Sequence, residues 1–100
     1  MDKWEISQKD AADLYGKEVA RSGAGMFNKQ DVDGLGNYKQ YKIENKFTSQ
    51  KSFSLNKEYI RKIQKEALTL SNKDVIIRID FNGEVYFVLS EKVFRRLHND

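Results

Sequence analysis

The sequence contains no cysteine and no proline, and it has a single histidine and a single tryptophan. The lack of cysteine excludes disulfides, thiolate metal sites and cysteine nucleophiles, and it fits a reducing compartment. No apolar run approaches the ~20 residues that span a bilayer. The polar amino terminus MDKWEISQKD lacks the apolar segment of a signal peptide. We therefore expect a cytoplasmic protein that does not enter a membrane.

The composition is that of a folded protein. Hydrophobic residues make up 39% of the 100 positions and aromatic residues 12%, which excludes a disordered chain. No proline-rich linker, internal repeat or low-complexity segment divides the sequence, so we expect a single domain over residues 1–100. A core of this size is small, and burial at a dimer interface would supplement it.

The charge is mildly basic, with a formal net charge of +3 and a pI of about 9.1. This balance permits a polyanionic partner but does not identify one. Basic residues crowd the middle of the chain, at Lys39, Lys42, Lys46, Lys51, Lys57, Arg61, Lys62 and Lys65. They are interpreted either as a solvated face or as a surface that holds a phosphate backbone.

The first half of the sequence predicts one helix followed by strands. A weak helical pattern covers residues 2–15, and Gly16 is a plausible stop. An extended piece over residues 19–21 leads into the glycine-punctuated loop SGAGMFNKQ. Residues 31–35 and 39–48 resemble two strands, and Gly36-Asn37 between them predicts a hairpin turn.

The second half predicts a helix, a hairpin and a last short helix. Residues 56–71 are predicted to form a helix with Asn56 as its N-cap. Its apolar stripe consists of Ile60, Ile63, Ala67 and Leu70. The runs DVIIRIDF and EVYFVLS are joined by Asn82-Gly83, a strong hairpin signal. Both faces of the second run are apolar, which predicts a strand covered on both sides.

A final helix is predicted to begin at Ser90 and to carry Val93, Phe94 and Leu97 on one stripe. The predicted order is therefore αβββαββα. This order indicates an α/β fold, with a mixed β-sheet of about five strands flanked by helices.

One stretch, YKIENKFTSQKSFSL, carries a pattern that suggests chemistry. Because side chains alternate along a strand, Glu44 and Lys46 project to one face about 7 Å apart. Asp31 or Asp33, on the preceding strand, can approach Glu44. Paired carboxylates suit Mg²⁺, and a neighbouring lysine can orient a water and offset charge on a phosphate. The alternative interpretation is a solvent-facing ion pair on a half-buried strand.

Three segments together resemble the PD-(D/E)XK nuclease superfamily: SGAGMFNKQDVDG, YKIENKFTSQKSFSL and KEYIRKIQKEALTLSNKDVIIRIDF. Within that superfamily they are similar to the archaeal Holliday junction resolvases and their phage-encoded relatives. In that family a Ser-Gly-Ala loop precedes a strand with a metal-binding Asp, and a Glu-x-Lys strand follows about a dozen residues later. Asp31 lies 13 positions before Glu44, and Glu44-Asn45-Lys46 stands as the Glu-x-Lys element.

The resemblance implies a Mg²⁺-dependent DNA endonuclease, with Mn²⁺ as the expected substitute, that cuts branched DNA as a homodimer. It implies Asp31 and Glu44 as metal ligands and Lys46 as the residue that orients the attacking water. Glu5 is expected to be the first-helix acid that completes the site. Ser22, in the SGAG loop, is expected near the scissile phosphate or as a turn-stabilising hydroxyl. For a phage-encoded protein the compartment would be the host cytoplasm.

The expected contacts with the DNA backbone come from basic and hydroxyl side chains outside this motif, namely Arg21, Lys29, Lys51, Ser52 and Lys62. Three other functions are compatible with the same residues. The protein could be a phage nuclease that cuts duplex, flap or single-stranded DNA. It could be a DNA-binding module without catalysis, or a protein-interaction domain on which the Glu44–Lys46 pair is only surface charge.

Overall fold

A computed structural model describes residues 1–19 and 31–98, and at Asp31 it describes the backbone alone. The helices are α1, Lys3–Tyr15; α2, Lys57–Ser71; and α3, Glu91–His98. The strands are β1, Gly16–Val19; β2, Asp31–Gly34; β3, Tyr41–Phe47; β4, Asp74–Phe81; and β5, Glu84–Val88. The order along the chain is αβββαββα, which confirms the predicted mixed α/β fold.

The five strands form one sheet in the order β1-β2-β3-β4-β5. Neighbouring strands are antiparallel, except that β3 and β4 are parallel and are joined by the crossover through α2. Two apolar clusters fill the two faces. One contains Ala11 of α1 and Val93 of α3, and the other contains Ile63 and Ala67 of α2. Among the described residues, no helix is long and apolar enough to cross a membrane.

The starts of α2 and α3 agree with the sequence prediction, because the predicted N-cap side chains accept hydrogen bonds from backbone N–H groups of the first turn. Asn56 Oδ1 accepts a hydrogen bond from Tyr59 N at 2.8 Å, and Ser90 Oγ accepts one from Val93 N at 3.2 Å. The apolar stripes agree less well. Leu70 of α2, and Phe94 and Leu97 of α3, are exposed, because only the side of each helix nearest the sheet is covered.

The link between β2 and β3 differs from the predicted two-residue turn at Gly36-Asn37. The chain instead forms a 3₁₀ turn, Gly36–Tyr38, in which Gly36 has a φ of 60°. A Cβ atom on Gly34 would lie 2.0 Å from the backbone oxygen of Tyr38, so the returning chain passes too close for any side chain there. The antiparallel pairing of β2 with β3 is nevertheless as expected.

The prediction that β5 is covered on both sides is wrong. Tyr86 and Phe87, on opposite faces of β5, are 51% and 40% exposed. β5 is an edge strand, and the helices that cover the sheet do not extend over both of its faces. The strand buried on both faces is β4, in which residues 75–80 are all buried. This is the usual position of a strand with a parallel neighbour.

Candidate active site

Strand β3 directs Lys42, Glu44 and Lys46 to the face of the sheet that α2 covers. Their Cα partners on β4 are Val75, Ile77 and Ile79, which belong to the apolar cluster under α2. On this face of the sheet, the polar side chains of β3 therefore lie beside the apolar side chains of β4, because side chains alternate between the two faces along each strand. The predicted pairing of Glu44 with Lys46 on one face is confirmed.

A Glu44 cluster, made of Glu44, Lys46 and Tyr59, forms where β3 meets the first turns of α2. Lys46 Nζ lies 3.4 Å from Glu44 Oε2, and the Tyr59 hydroxyl donates a hydrogen bond of 3.1 Å to the same oxygen. The Lys46 ammonium also lies 5.3 Å from the centre of the Tyr59 ring. Tyr59 therefore positions both charged groups, through its hydroxyl and through its ring.

The Glu44 cluster is sheltered but remains open to water through Lys46. The Glu44 side chain is only 7% exposed, whereas that of Lys46 is 24% exposed. A carboxylate this deeply buried requires charge or hydrogen-bond partners, which Lys46 and Tyr59 provide. A polyanion that approaches from solvent would meet the lysine first.

The register of β2 against β3 brings a second acidic position next to Glu44. Val32 pairs with Ile43 and Asp33 with Lys42, so the same register places position 31 opposite position 44. Directly opposite residues of an antiparallel pair have Cα atoms about 4.5–5.5 Å apart. Extending the observed register by one residue therefore sets the backbone of Asp31 opposite Glu44. The side chain of Asp31 lies outside the described part of the structure.

Asp33, the other acidic residue on β2, is bound elsewhere. Its Oδ1 accepts a 2.5 Å hydrogen bond and ion pair from Lys73 Nζ, which also contacts Gly34 O at 3.2 Å. This contact ties β2 to the segment between α2 and β4. Of the two aspartates that the sequence offered as partners of Glu44, Asp33 is therefore engaged in a structural ion pair, which favours Asp31.

Glu5 has a different environment from Glu44. Its Oε1 accepts a hydrogen bond from the backbone N of Asp2 at 3.0 Å, which closes the first turn of α1. Helix α1 packs on the opposite face of the sheet, where Ser7 contacts Asn45. Glu44 projects to the face that α2 covers, so the sheet separates these two acids.

The predicted DNA-contacting residues fall into two groups. Lys51, Ser52 and Lys62 are exposed, the first two in the loop after β3 and the third on α2. They lie on the elements that follow the Glu44 strand. Arg21, Ser22 and Lys29, together with the SGAG loop, lie outside the described residues. That segment links β1 to β2, and its last residue precedes position 31.

The donor chemistry of the Glu44 cluster is compatible with Mg²⁺. A carboxylate oxygen is the ligand this ion prefers, and it commonly takes one or two such ligands from the protein with water in the remaining positions. Among the residues whose side chains are described, no group of three or more His, Cys, Asp or Glu side chains could hold a metal. If the ion binds here, its second carboxylate ligand would be Asp31, the neighbouring acid by register.

A second polar cluster, which the sequence reading missed, lies on the opposite face of the same strands. This Arg78 network consists of Ser7, Asn45, Arg78 and Asp80. Ser7 Oγ donates to Asp80 Oδ2 at 2.6 Å, and Asn45 Nδ2 donates to Ser7 Oγ at 3.0 Å. Arg78 Nη1 donates to Asn45 Oδ1 at 2.8 Å and to the Ser7 backbone oxygen at 3.2 Å.

The Arg78 network is enclosed. The Arg78 and Asp80 side chains are 5% and 9% exposed, and Arg78 Nη1 lies 3.9 Å from Asp80 Oδ2. Arg78 Nε has no hydrogen-bond partner among the described residues. One signal could have found this network: Arg78 and Asp80 alternate within the otherwise apolar run DVIIRIDF and so share a face. Asn45 likewise lies between Ile43 and Phe47 on that face.

Comparison with known proteins finds no matching family model, no matching curated protein and no matching solved structure. The Glu44 cluster is therefore interpreted from its own geometry and chemistry.

Proposed function

We propose that the protein is a divalent-metal-dependent endonuclease that hydrolyses DNA phosphodiesters, with branched DNA such as a four-way junction as its preferred substrate. The observation that carries the proposal is the buried Glu44 carboxylate. It is held by Tyr59 and Lys46, opposite an aspartate position on the neighbouring strand. The αβββαββα order is compatible with the α/β core that the resemblance to the PD-(D/E)XK nucleases implies.

Each residue of the cluster has a distinct part in the proposed reaction. Glu44 and Asp31 would hold Mg²⁺, which would supply an activated water and stabilise negative charge on the phosphate. Tyr59 orients the Glu44 carboxylate through its hydroxyl. Lys46 is close enough to Glu44 to orient the attacking water with its ammonium group and to offset the charge that develops on the phosphate.

A cleavage assay on a labelled four-way junction with Mg²⁺ tests the proposal. We expect Glu44→Gln and Lys46→Met each to lower the rate by at least about 100-fold, because each removes a charged group that acts in the transition state. Chelation by EDTA should abolish cleavage, and Mn²⁺ should restore it. Comparing junction, flap and linear duplex then identifies the preferred substrate.

Two control variants test whether a loss of cleavage is specific to the Glu44 cluster. Lys9→Met removes an exposed lysine from α1, on the opposite face of the sheet, and Glu58→Gln removes an exposed acid from α2. Both should cleave at the wild-type rate. Wild-type protein that leaves all three substrates intact would rule the proposal out, as would full activity in both Glu44→Gln and Lys46→Met.

Salt dependence tests the DNA contacts separately. If Lys51 and Lys62 each neutralise one phosphate, replacing either with alanine should reduce the slope of log affinity against log salt by about 0.9. Fluorescence anisotropy with a labelled junction at several salt concentrations measures this slope. An unchanged slope in a variant would exclude that lysine from the interface.

One observation favours a second function, a DNA-binding module without catalysis. Lys46 and Glu44 already neutralise each other within β3, and the Tyr59 hydroxyl joins Glu44 to α2, so the cluster can serve structure alone. This function predicts junction binding that needs no metal and survives Asp31→Asn. The endonuclease instead predicts that Asp31→Asn abolishes cleavage in Mg²⁺ while the protein still binds the junction.

A further inference from the structure

Strand β5 is an open edge of the sheet. Within the described part of the chain it pairs with β4 alone. An edge strand presents unpaired backbone N–H and C=O groups, and proteins commonly protect such edges with lysine or proline. The sequence of β5, EVYFV, contains neither residue. Its backbone is therefore suited to pairing with another strand.

Exposed apolar side chains continue from β5 onto α3. Phe87 of β5, and Phe94 and Leu97 of α3, form what we call the β5–α3 patch, and all three are exposed; Tyr86 is exposed on the other face of β5. A cavity of about 270 Å³ opens beside it, and its lining includes Phe87, Leu89, Phe94 and Leu97. An unpaired edge next to an apolar surface of this kind marks an interaction site.

We infer that β5 pairs antiparallel with β5 of a second copy of the chain, which joins the two sheets into one sheet of ten strands. Full overlap of the two strands sets Tyr86 opposite Tyr86 and Glu84 opposite Val88. The interface is then isologous, the form that closes a two-fold dimer.

The charge on β5 supports this arrangement. Glu84 is the one charged residue of the strand. Antiparallel pairing separates the two Glu84 residues by about four residue steps, roughly 13 Å, whereas parallel pairing would set them side by side. Each Glu84 would also approach the end of the other β5 that continues into α3, where Lys92, Arg95 and Arg96 outnumber Glu91 and Asp74, the latter paired with Lys92 and Arg96.

The apolar residues fit the same register. Phe87 shares the face of the sheet on which Arg78 lies, since these two are Cα partners, and the cavity opens on this face. In the dimer, Val85 of the second copy lies opposite Phe87 and extends the apolar wall of the cavity. The two Tyr86 side chains meet on the other face. Aromatic and β-branched cross-strand pairs of this kind stabilise sheets.

The dimer has a consequence for the candidate active site, and this consequence alone rests on the proposed function. The two-fold axis of an antiparallel strand pair is perpendicular to the sheet, so both copies present the Glu44 face on the same side. β3 and its counterpart are then five strand spacings apart, about 24 Å. Two sites on one face could reach two strands of a branched DNA.

A charge-swap experiment at the two-fold axis tests the dimer without DNA. Light scattering after gel filtration should give twice the chain mass for wild type at about 100 μM. Tyr86→Lys and Tyr86→Glu should each raise the dimer dissociation constant about 30-fold, because each sets like charges opposite each other and removes the aromatic pair. Mixing the two variants should restore a dimer, because lysine then faces glutamate.

The control variant is Leu70→Lys, which adds the same charge at an exposed leucine of α2, away from β5. It should remain as dimeric as wild type. A monomeric wild-type protein would overturn the inference. This holds even if the β5 edge binds an extended peptide from another protein, because the inferred partner is a second copy of the chain. A dimer that survives Tyr86→Lys would also overturn it, as would a mixture of the two charged variants that stays monomeric. Because this experiment measures mass and not cleavage, its result does not depend on whether the protein is a nuclease.

Discussion

The two faces of β3 and β4 carry polar clusters that differ in access to solvent. The Arg78 network lies under α1, and the side chains of Arg78 and Asp80 are less than a tenth exposed. The Glu44 cluster lies under α2, and the Lys46 side chain is 24% exposed. Buried charges that bind one another hold a structure together, whereas a sheltered carboxylate beside an accessible ammonium is the arrangement that the proposed function requires. Strand alternation alone separates these two environments, because Asn45 lies between Glu44 and Lys46.

The largest expected effect is on the Arg78 network. Arg78→Met leaves the Asp80 carboxylate buried without its cation and leaves Asn45 Oδ1 without the hydrogen bond that Arg78 donates. Breaking a buried pair in this way costs about 3–5 kcal/mol of the free energy of unfolding. Urea denaturation followed by circular dichroism measures the loss. A cost below about 1 kcal/mol would show that the network is as tolerant of change as a surface pair.

Ser7→Ala should have an intermediate effect. The Ser7 hydroxyl bridges Asp80 and Asn45, and its removal leaves buried polar groups short of one partner. We expect a loss of about 1–3 kcal/mol in the free energy of unfolding, measured by the same denaturation experiment. Ser54→Ala, at an exposed serine in the loop before α2, is the control and should leave stability unchanged.

Tyr59→Phe tests how firmly the Glu44 cluster is held. The change removes the hydrogen bond to Glu44 Oε2 and keeps the aromatic ring beside Lys46. We expect a loss of about 0.5–1.5 kcal/mol in the free energy of unfolding. Under the proposed function, cleavage should also slow, because the carboxylate loses its orienting partner. Unchanged stability together with unchanged cleavage would remove Tyr59 from the site.

Glu44→Gln should have the smallest effect on stability. The amide has the shape of the carboxylate and can still accept from Tyr59, while Lys46 stays in contact with water. The Lys46 side chain is 24% exposed and is hydrated when the pair is lost, so we expect a change within about 1 kcal/mol although Glu44 itself is buried. A loss as large as that of Arg78→Met would place Glu44 among the structural charges and would contradict the difference between the two faces.

The sequence predicted the elements well because their signals are local. Asn56 and Ser90 cap the helices that follow them, and Asn82-Gly83 joins β4 to β5. The same local reading placed Glu44 and Lys46 on one face. It misjudged β5, because apolar residues on both faces of a strand do not reveal whether the strand is central or at an edge. It also missed the Arg78 network, whose members are up to 73 positions apart.

By itself, the sequence determined the order of helices and strands, where the helices begin, and which residues of β3 share a face. These properties depend on capping, turn chemistry and side-chain alternation over a few residues. Three further properties depend on the packed fold: which strand is the edge, the pairing of Asp33 with Lys73, and the hydrogen bond from Tyr59 to Glu44. The physical reason is that burial and hydrogen bonding depend on which distant elements pack together.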